Sequence, residues 1–202
     1  MENNVFDPQN QETDLSSKIV AGLERISEAF KVLLWEKATA LGISPIQIQI
    51  LIFIAYHKPA LCNVSHLAKE FNVSKPTISD AIRSLDKKGF IEKDHSSSDN
   101  RSYTIKLSDS GVNIVSNTEN FAYPLKKQLS SIHPSDLETL FKALSTFIYQ
   151  LNRHGILTVQ RTCYACKFYN NNLNSHYCNL LEKELLNSEI RIDCHEFEDK
   201  IN

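Results

Sequence analysis

Apolar residues recur at three- and four-residue steps through Leu15, Ile19, Leu23, Ile26, Phe30, Leu33 and Leu34, which predicts an amphipathic helix to about Ala40, ended by Gly42. Ser44-Pro45-Ile46-Gln47 then forms a capping box with proline at the first helical position. The helix it opens carries Ile46, Ile48, Ile50, Leu51, Phe53 and Ile54, apolar on nearly every side, and so predicts the hub of the core. Asn63 caps a short helix striped by Val64, Leu67, Ala68 and Phe71. After Asn72 and Val73, Ser74 caps another, with Pro76 in the first turn, where a missing N–H costs nothing. Ile78, Ala81, Ile82 and Leu85 point inward on this second helix, and Gly89 supplies its left-handed end. Two helices joined this tightly cross steeply, as a helix-turn-helix.

Phe90, Ile91, Tyr103, Ile105 and Leu107 predict two short strands around the polar loop His95 to Ser102, a β-wing. Ser108 caps a further helix with Val112, Val115, Phe121, Leu125 and Leu129, which Pro124 should bend or interrupt. Ser135-Asp136-Leu137-Glu138 opens a long one striped by Leu137, Leu140, Phe141, Leu144, Phe147, Ile148 and Leu151. The fold class is therefore mainly α with a small β-wing. Residues 1–14 read as a flexible tail, 15–43 as a dimerisation helix, 44–107 as a winged helix-turn-helix, 108–160 as further dimerisation helices and 161–202 as a four-cysteine module. The stripes before and after the winged helix exceed what that small lobe can cover, which predicts a homodimer.

A helix-turn-helix suggests where DNA chemistry would sit. The N-terminal residues of the second helix face the major groove in such motifs. Ser74, Lys75 and Lys87 suit phosphate contacts, while Thr77, Ser79, Asp80 and Arg83, beside Pro76, are candidates for reading bases. In the wing, Arg101 is suited to a narrow minor groove, with Asp99 placed to orient it. The double-stranded DNA this implies is not advertised by a formal net charge of -2. Regionally, Cys62 to Lys106 holds eight Lys and Arg against six Asp and Glu, whereas Cys163 to Asn202 holds four against seven. A weak positive field favours a dimer that sums two patches, with salt-dependent affinity. Hydrophobic residues at 42% and charged ones at 23% are ordinary for a globular chain, and no run suggests a membrane span or signal segment, so no membrane partner and a cytoplasmic location are expected.

The order SPIQIQIL, NVSHLAKEFNVSKPTISDAIRSLDKKGFI, DNRS in the wing and KLSDSG at the next helix resembles the multiple-antibiotic-resistance regulator (MarR) family over roughly residues 15 to 155. The resemblance implies a homodimer on a pseudo-palindromic operator, often a repressor released by a small-molecule effector. It further implies a ligand pocket between core and dimerisation helices, for which Trp35 and Tyr56 are the candidates. Two aromatic residues at helical spacing are equally plain core.

The last forty residues hold four of the five cysteines, Cys163, Cys166, Cys178 and Cys194, in the spacing C-x2-C-x11-C-x15-C. In a reducing compartment this reads as a metal site rather than a disulfide framework. A zinc ribbon shows a second tight pair, which is missing here, whereas thiolates from separate segments can wrap an iron–sulfur cluster. The string resembles small high-potential-type iron–sulfur domains over about residues 163 to 197, which implies a [4Fe-4S] cluster, although both gaps depart from that pattern; one zinc ion is the alternative. His176 and His195 read as neighbours of the ligands, and Leu180, Leu181, Leu185 and Leu186 as a short helix over the site. Cys62 stands alone and reads as a small buried hydrophobe. Two other functions remain open from the residues. Cys163-Tyr164-Ala165-Cys166 is a formal thiol-exchange pair, though no βαβ pattern surrounds it, and a winged helix can serve protein contacts without DNA. No catalytic constellation is present, so the chain is not expected to be an enzyme.

Overall fold

The computed structural model describes residues 4–95, 103–172 and 175–200. Helix α1 (Pro8–Thr13) occupies part of the segment expected to be a flexible tail. Asp7 explains it, since its carboxylate accepts from Gln9 N at 3.0 Å and Pro8 follows at the first helical position. Asp14 caps the long helix α2 (Leu15–Leu41), and Gly42 ends it.

Helix α3 (Pro45–Tyr56) starts on the expected capping box, with Ser44 N donating to Gln47 Oε1 at 2.9 Å. Ile48, Ile50 and Leu51 are fully buried. Around α3 pack α2, α5 (Lys75–Lys87), β2 (Thr104–Leu107) and α6 (Asp109–Thr118), which is why it is apolar all round. Helix α4 (Val64–Glu70) reaches α5 through a turn in which Asn72 holds φ 53°, a conformation asparagine tolerates better than most residues.

Strand β1 (Ile91–Asp94) pairs antiparallel with β2, Ile91 opposite Leu107 and Asp94 opposite Thr104. The hairpin is anchored to the lobe by Ile105 N, which donates to Cys62 O at 2.8 Å. Gly89, at φ 71°, turns the chain from α5 into β1, as expected. Cys62 is 1% exposed and its burial pushes its thiol up to about 11, consistent with a hydrophobe rather than a reactive group.

Gly111 is needed for a different reason. A Cβ there would lie 2.0 Å from Phe90 O and 3.0 Å from Phe90 C, so α6 can approach the root of the wing only without a side chain. Gly111→Ala should cost about 1–3 kcal/mol of stability, because the obstacle is backbone and cannot rotate away. A urea unfolding curve checks this, and an unchanged midpoint would refute it.

After α6 the chain breaks and resumes as α7 (Tyr123–Leu129), with Pro124 in its first turn, so the proline interrupts the helix as expected. Helix α8 (Pro134–Arg153) has two apolar faces. Phe141 packs on the core of the C-terminal module, and Tyr149 meets Tyr164 edge-on at 6.0 Å, while Leu140 and Phe147 stay exposed. Part of the stripe assigned to a dimer interface is therefore covered by the chain's own tail.

That tail carries a three-stranded antiparallel sheet, β3 (Tyr169–Asn172), β4 (Ser175–Cys178) and β5 (Lys183–Leu185), in the order β3-β4-β5. The short helix expected at Leu180 to Leu186 is instead a hairpin and strand. Glu182 at φ 53° is incompatible with a continuing helix, and the β4–β5 ladder pairs His176 with Leu185 and Cys178 with Lys183. Tertiary pairing here overrides the helix propensity of leucine. Among the described residues, no single helix is long and apolar enough to cross a membrane.

Candidate nucleic-acid interface and cysteine cluster

Helix α5 turns Ile78, Ala81, Ile82 and Leu85 into the core and leaves Ser74, Lys75, Pro76, Thr77, Asp80, Arg83 and Lys87 exposed, with Ser79 half-buried. One periodicity thus sorts packing from contact. Ser74 Oγ accepts from Thr77 N at 3.2 Å and lies 2.7 Å from Thr77 Oγ1, so these two hydroxyls present themselves together at the helix start. Arg83 Nη1 donates to Asp80 Oδ1 at 2.8 Å on the open surface, where such a pair contributes little to stability and can be exchanged for a base or phosphate. Asp80 is therefore placed to orient Arg83. Asp99 and Arg101, the expected wing residues, lie outside the described residues.

Trp35 and Tyr56 do not share a described cavity. Trp35 lines an open groove of about 490 Å³ along α2, with Leu23, Phe30 and Phe121. Tyr56 is half exposed at the end of α3, with its hydroxyl on Glu119. A larger cleft, about 650 Å³, lies instead between α4 and the tail, bordered by Lys58, Lys69, Arg153 and Lys200.

The four tail cysteines do converge. Cys163, Cys166, Cys178 and Cys194 all line one cavity of about 230 Å³, walled by Phe168, Tyr169, Leu180, Leu181 and Leu185. Cys163 to Cys166 is a tight turn in which Cys166 N donates to Cys163 O at 2.9 Å. Cys178 is delivered by β4, opposite Tyr169 on β3. Cys194 is held beside them because Cys194 N donates to Arg161 O at 3.1 Å and Cys163 N to Arg191 O at 3.1 Å. Arg191 also reaches the sulfurs, its backbone N donating to Cys163 Sγ at 3.2 Å and its Nη1 to Cys194 Sγ at 3.6 Å. N–H donors aimed at sulfur in an apolar shell suit bound thiolates.

Among the described residues, no three His, Cys, Asp or Glu side chains come together closely enough to hold a single metal ion. A tetrahedral zinc site draws its sulfurs in to about 2.3 Å from the ion. Burial pushes the Cys163 thiol up, whereas thiol exchange is favoured by a lowered one. His176 is engaged on Tyr169 Oη and Asn187 Oδ1, and His195 lies beside the His57 ring.

What the sequence does not announce is the contact between tail and winged helix. Arg161 Nη1 and Nη2 donate to Glu70 at 2.7 and 3.0 Å, and its Nε and Nη2 donate to Asp193 at 2.6 and 3.0 Å. The guanidinium lies over the Phe53 ring at 5.5 Å, and His57 stacks on the same ring at 3.8 Å with Nε2 2.9 Å from Asp193 Oδ2. Arg161 is only 10% exposed. Burial alone would lower its basicity, but the hydrogen bonds it donates to Asp193 and Glu70 more than offset this and raise it. In return the Arg161 hydrogen bond holds the Asp193 carboxyl down at about 2. Ninety-one positions separate Arg161 from Glu70, so no local pattern could pair them.

Comparison with known proteins agrees with this architecture. A model of the MarR family matches residues 41–102. An uncharacterized HTH-type transcriptional regulator of Bacillus subtilis, YfiV, is 27% identical over 126 residues, covering 62% of this chain and 72% of the relative. Among solved structures, a MarR protein from Peptoclostridium difficile superposes with a TM-score of 0.60 at 20% identity, covering 70% of this chain and 92% of that one. The MepR–DNA complex of S. aureus gives 0.56 at 23%, covering 64% and 94%. The match over residues 41–102 and these superpositions show a fold similar to that of MarR winged-helix proteins.

Proposed function

We propose that this chain is a DNA-binding transcriptional regulator, acting as a homodimer on double-stranded DNA, whose four-cysteine tail binds a [4Fe-4S] cluster and reports metal or redox state. The observation that carries the DNA reading is the α5 face, where Lys75, Thr77, Asp80 and Arg83 stand exposed at the start of a helix held by a tight turn. The similar MepR chain was captured on DNA, which supports it. A dimer is supported by the apolar surface left open on α2 at Leu15, Ile19, Ile26 and Phe30, and on α8 at Leu140 and Phe147. Two copies would set two α5 helices about one DNA turn, roughly 34 Å, apart.

Cys163, Cys166, Cys178 and Cys194 would hold the cluster, with Arg191 donating to two of the sulfurs. When bound, such a cluster supplies a group whose integrity depends on iron supply and oxidants. Phe168, Tyr169 and Leu185 form the apolar part of the cavity wall, beside the charged Lys183, Glu189 and Glu196.

Two measurements test these halves. Arg83→Ala should weaken binding to a selected operator by about 1–3 kcal/mol, and Lys75→Ala should reduce the salt slope by about one unit. Unchanged affinity in both variants, by fluorescence anisotropy, would remove α5 from the interface. Anaerobic purification with metal analysis should give a brown protein holding about four iron atoms per chain. A colourless protein with about one zinc would make the tail a zinc module instead.

A further inference from the structure

We propose that Arg161 is the positioning residue through which the ligation state of the tail cysteines reaches the helix-turn-helix. The inference rests on the iron–sulfur reading of the tail. Arg161 precedes Cys163 by two positions, and Asp193 immediately precedes Cys194. The two segments run side by side as a parallel bridge, with Arg161 opposite Asp193. Both candidate ligands therefore sit on the same short ladder that presents the Arg161–Asp193 pair.

The other end of that pair is α4. Arg161 donates to both oxygens of Glu70, the last residue of α4, and lies over Phe53 of α3. Nearby contacts fall on the same corner. Thr158 Oγ1 donates to Lys69 O, and Asn72 Nδ2 donates to Ile156 O at 3.4 Å, from the turn that leads into α5. Lys58 Nζ donates to Glu196 Oε2 at 3.1 Å on the far side. The tail thus grips the C-terminal ends of α3 and α4 and the turn that leads into α5.

Four thiolates held on one group pin the Cys163 and Cys194 segments together. With that ligation lost, the two segments are held only by their backbone bonds and by the Arg161–Asp193 pair itself. Arg161 is then held less firmly between Asp193 and Glu70, and the α4–α5 corner loosens with it. Coupling of this kind needs a contact that differs between two states, and the proposal gives that role to this network.

The test compares wild type, Arg161→Gln and Glu70→Gln, each reconstituted anaerobically with ferrous iron and sulfide and each also stripped with chelator. The readouts are hydrogen exchange over residues 64–87 and affinity for duplexes enriched from a random pool by the loaded and the stripped wild type. Stripping wild type should shift affinity by about tenfold and speed exchange at the α4–α5 corner. Both variants should keep wild-type iron content, with loaded and stripped forms differing by less than about threefold. Glu70→Gln leaves the cysteine segments untouched, so it decides the matter even where Arg161→Gln fails to fold. If the variants respond to stripping as wild type does, or if wild type with iron does not respond at all, the coupling is overturned while the cysteine site stands. A folded Glu70→Gln protein that cannot hold iron would likewise overturn it. A wild type that takes up no iron overturns the site and the coupling together.

Discussion

Cys163→Ser, purified anaerobically, should emerge colourless and lose nearly all of the roughly four iron atoms expected per chain. The reason is the position of this sulfur. Cys163 is buried, lines the shared cavity with the other three cysteines and accepts the Arg191 backbone N–H at 3.2 Å. A serine hydroxyl keeps the size but gives up the thiolate that such clusters require. Cys62→Ala is the matching control, since Cys62 lies in the winged-helix core and not in the tail cavity. It should retain full iron while losing some stability. Visible absorption and iron analysis on the two variants check both halves. Retention of iron by Cys163→Ser, or its loss from Cys62→Ala, would show that the cavity is not the site.

Leu51→Ala should destabilise the winged-helix lobe by about 2–5 kcal/mol, a large share of the roughly 5–15 kcal/mol that holds a typical domain together. Leu51 is fully buried on α3, the helix that α2, α5, β2 and α6 all pack against. Truncation leaves a cavity that neighbours on several sides cannot collapse into without moving the recognition helix. DNA affinity should fall with the folded fraction, while the iron content of the folded protein is maintained, because the tail has its own small core of Cys163, Cys166, Tyr169, Leu185 and Ile190. Chemical denaturation followed by circular dichroism measures the loss. A cost below about 1 kcal/mol would mean that α3 is not the hub its burial implies.

The two lobes differ in how far they were legible. In the winged helix each local signal agrees with its neighbours: Asn63 accepts from His66 N at 2.9 Å, Ser74 caps α5, Gly89 turns at its end, and Ile78, Ala81, Ile82 and Leu85 are the residues buried. Short-range hydrogen bonding and a 3.6-residue period carry that information, and both can be read from a string of residues. The tail lacks such a period. Its leucines suggested a helix, whereas the strand Lys183–Leu185 exists because β4 lies beside it and Glu182 turns the chain. Trp35 lines the open groove along α2, whereas Tyr56, at the end of α3, reaches Glu119, a placement no helical spacing reveals.

The sequence by itself determined the order of elements in the winged-helix lobe, its helix ends and the outward face of α5, because caps and periodicity act over a few residues. It also singled out four cysteines as a set, since C-x2-C with two further cysteines nearby is a local pattern in an otherwise cysteine-poor chain. Only the tertiary structure decided that those cysteines line one apolar cavity, that α8 divides its apolar stripe between the tail and an open face, and that Arg161 links Asp193 to Glu70. These facts depend on groups brought together from distant parts of the chain. An ion pair between residues 91 positions apart leaves no spacing to read, and its strength comes from a burial that exists only once both lobes have docked.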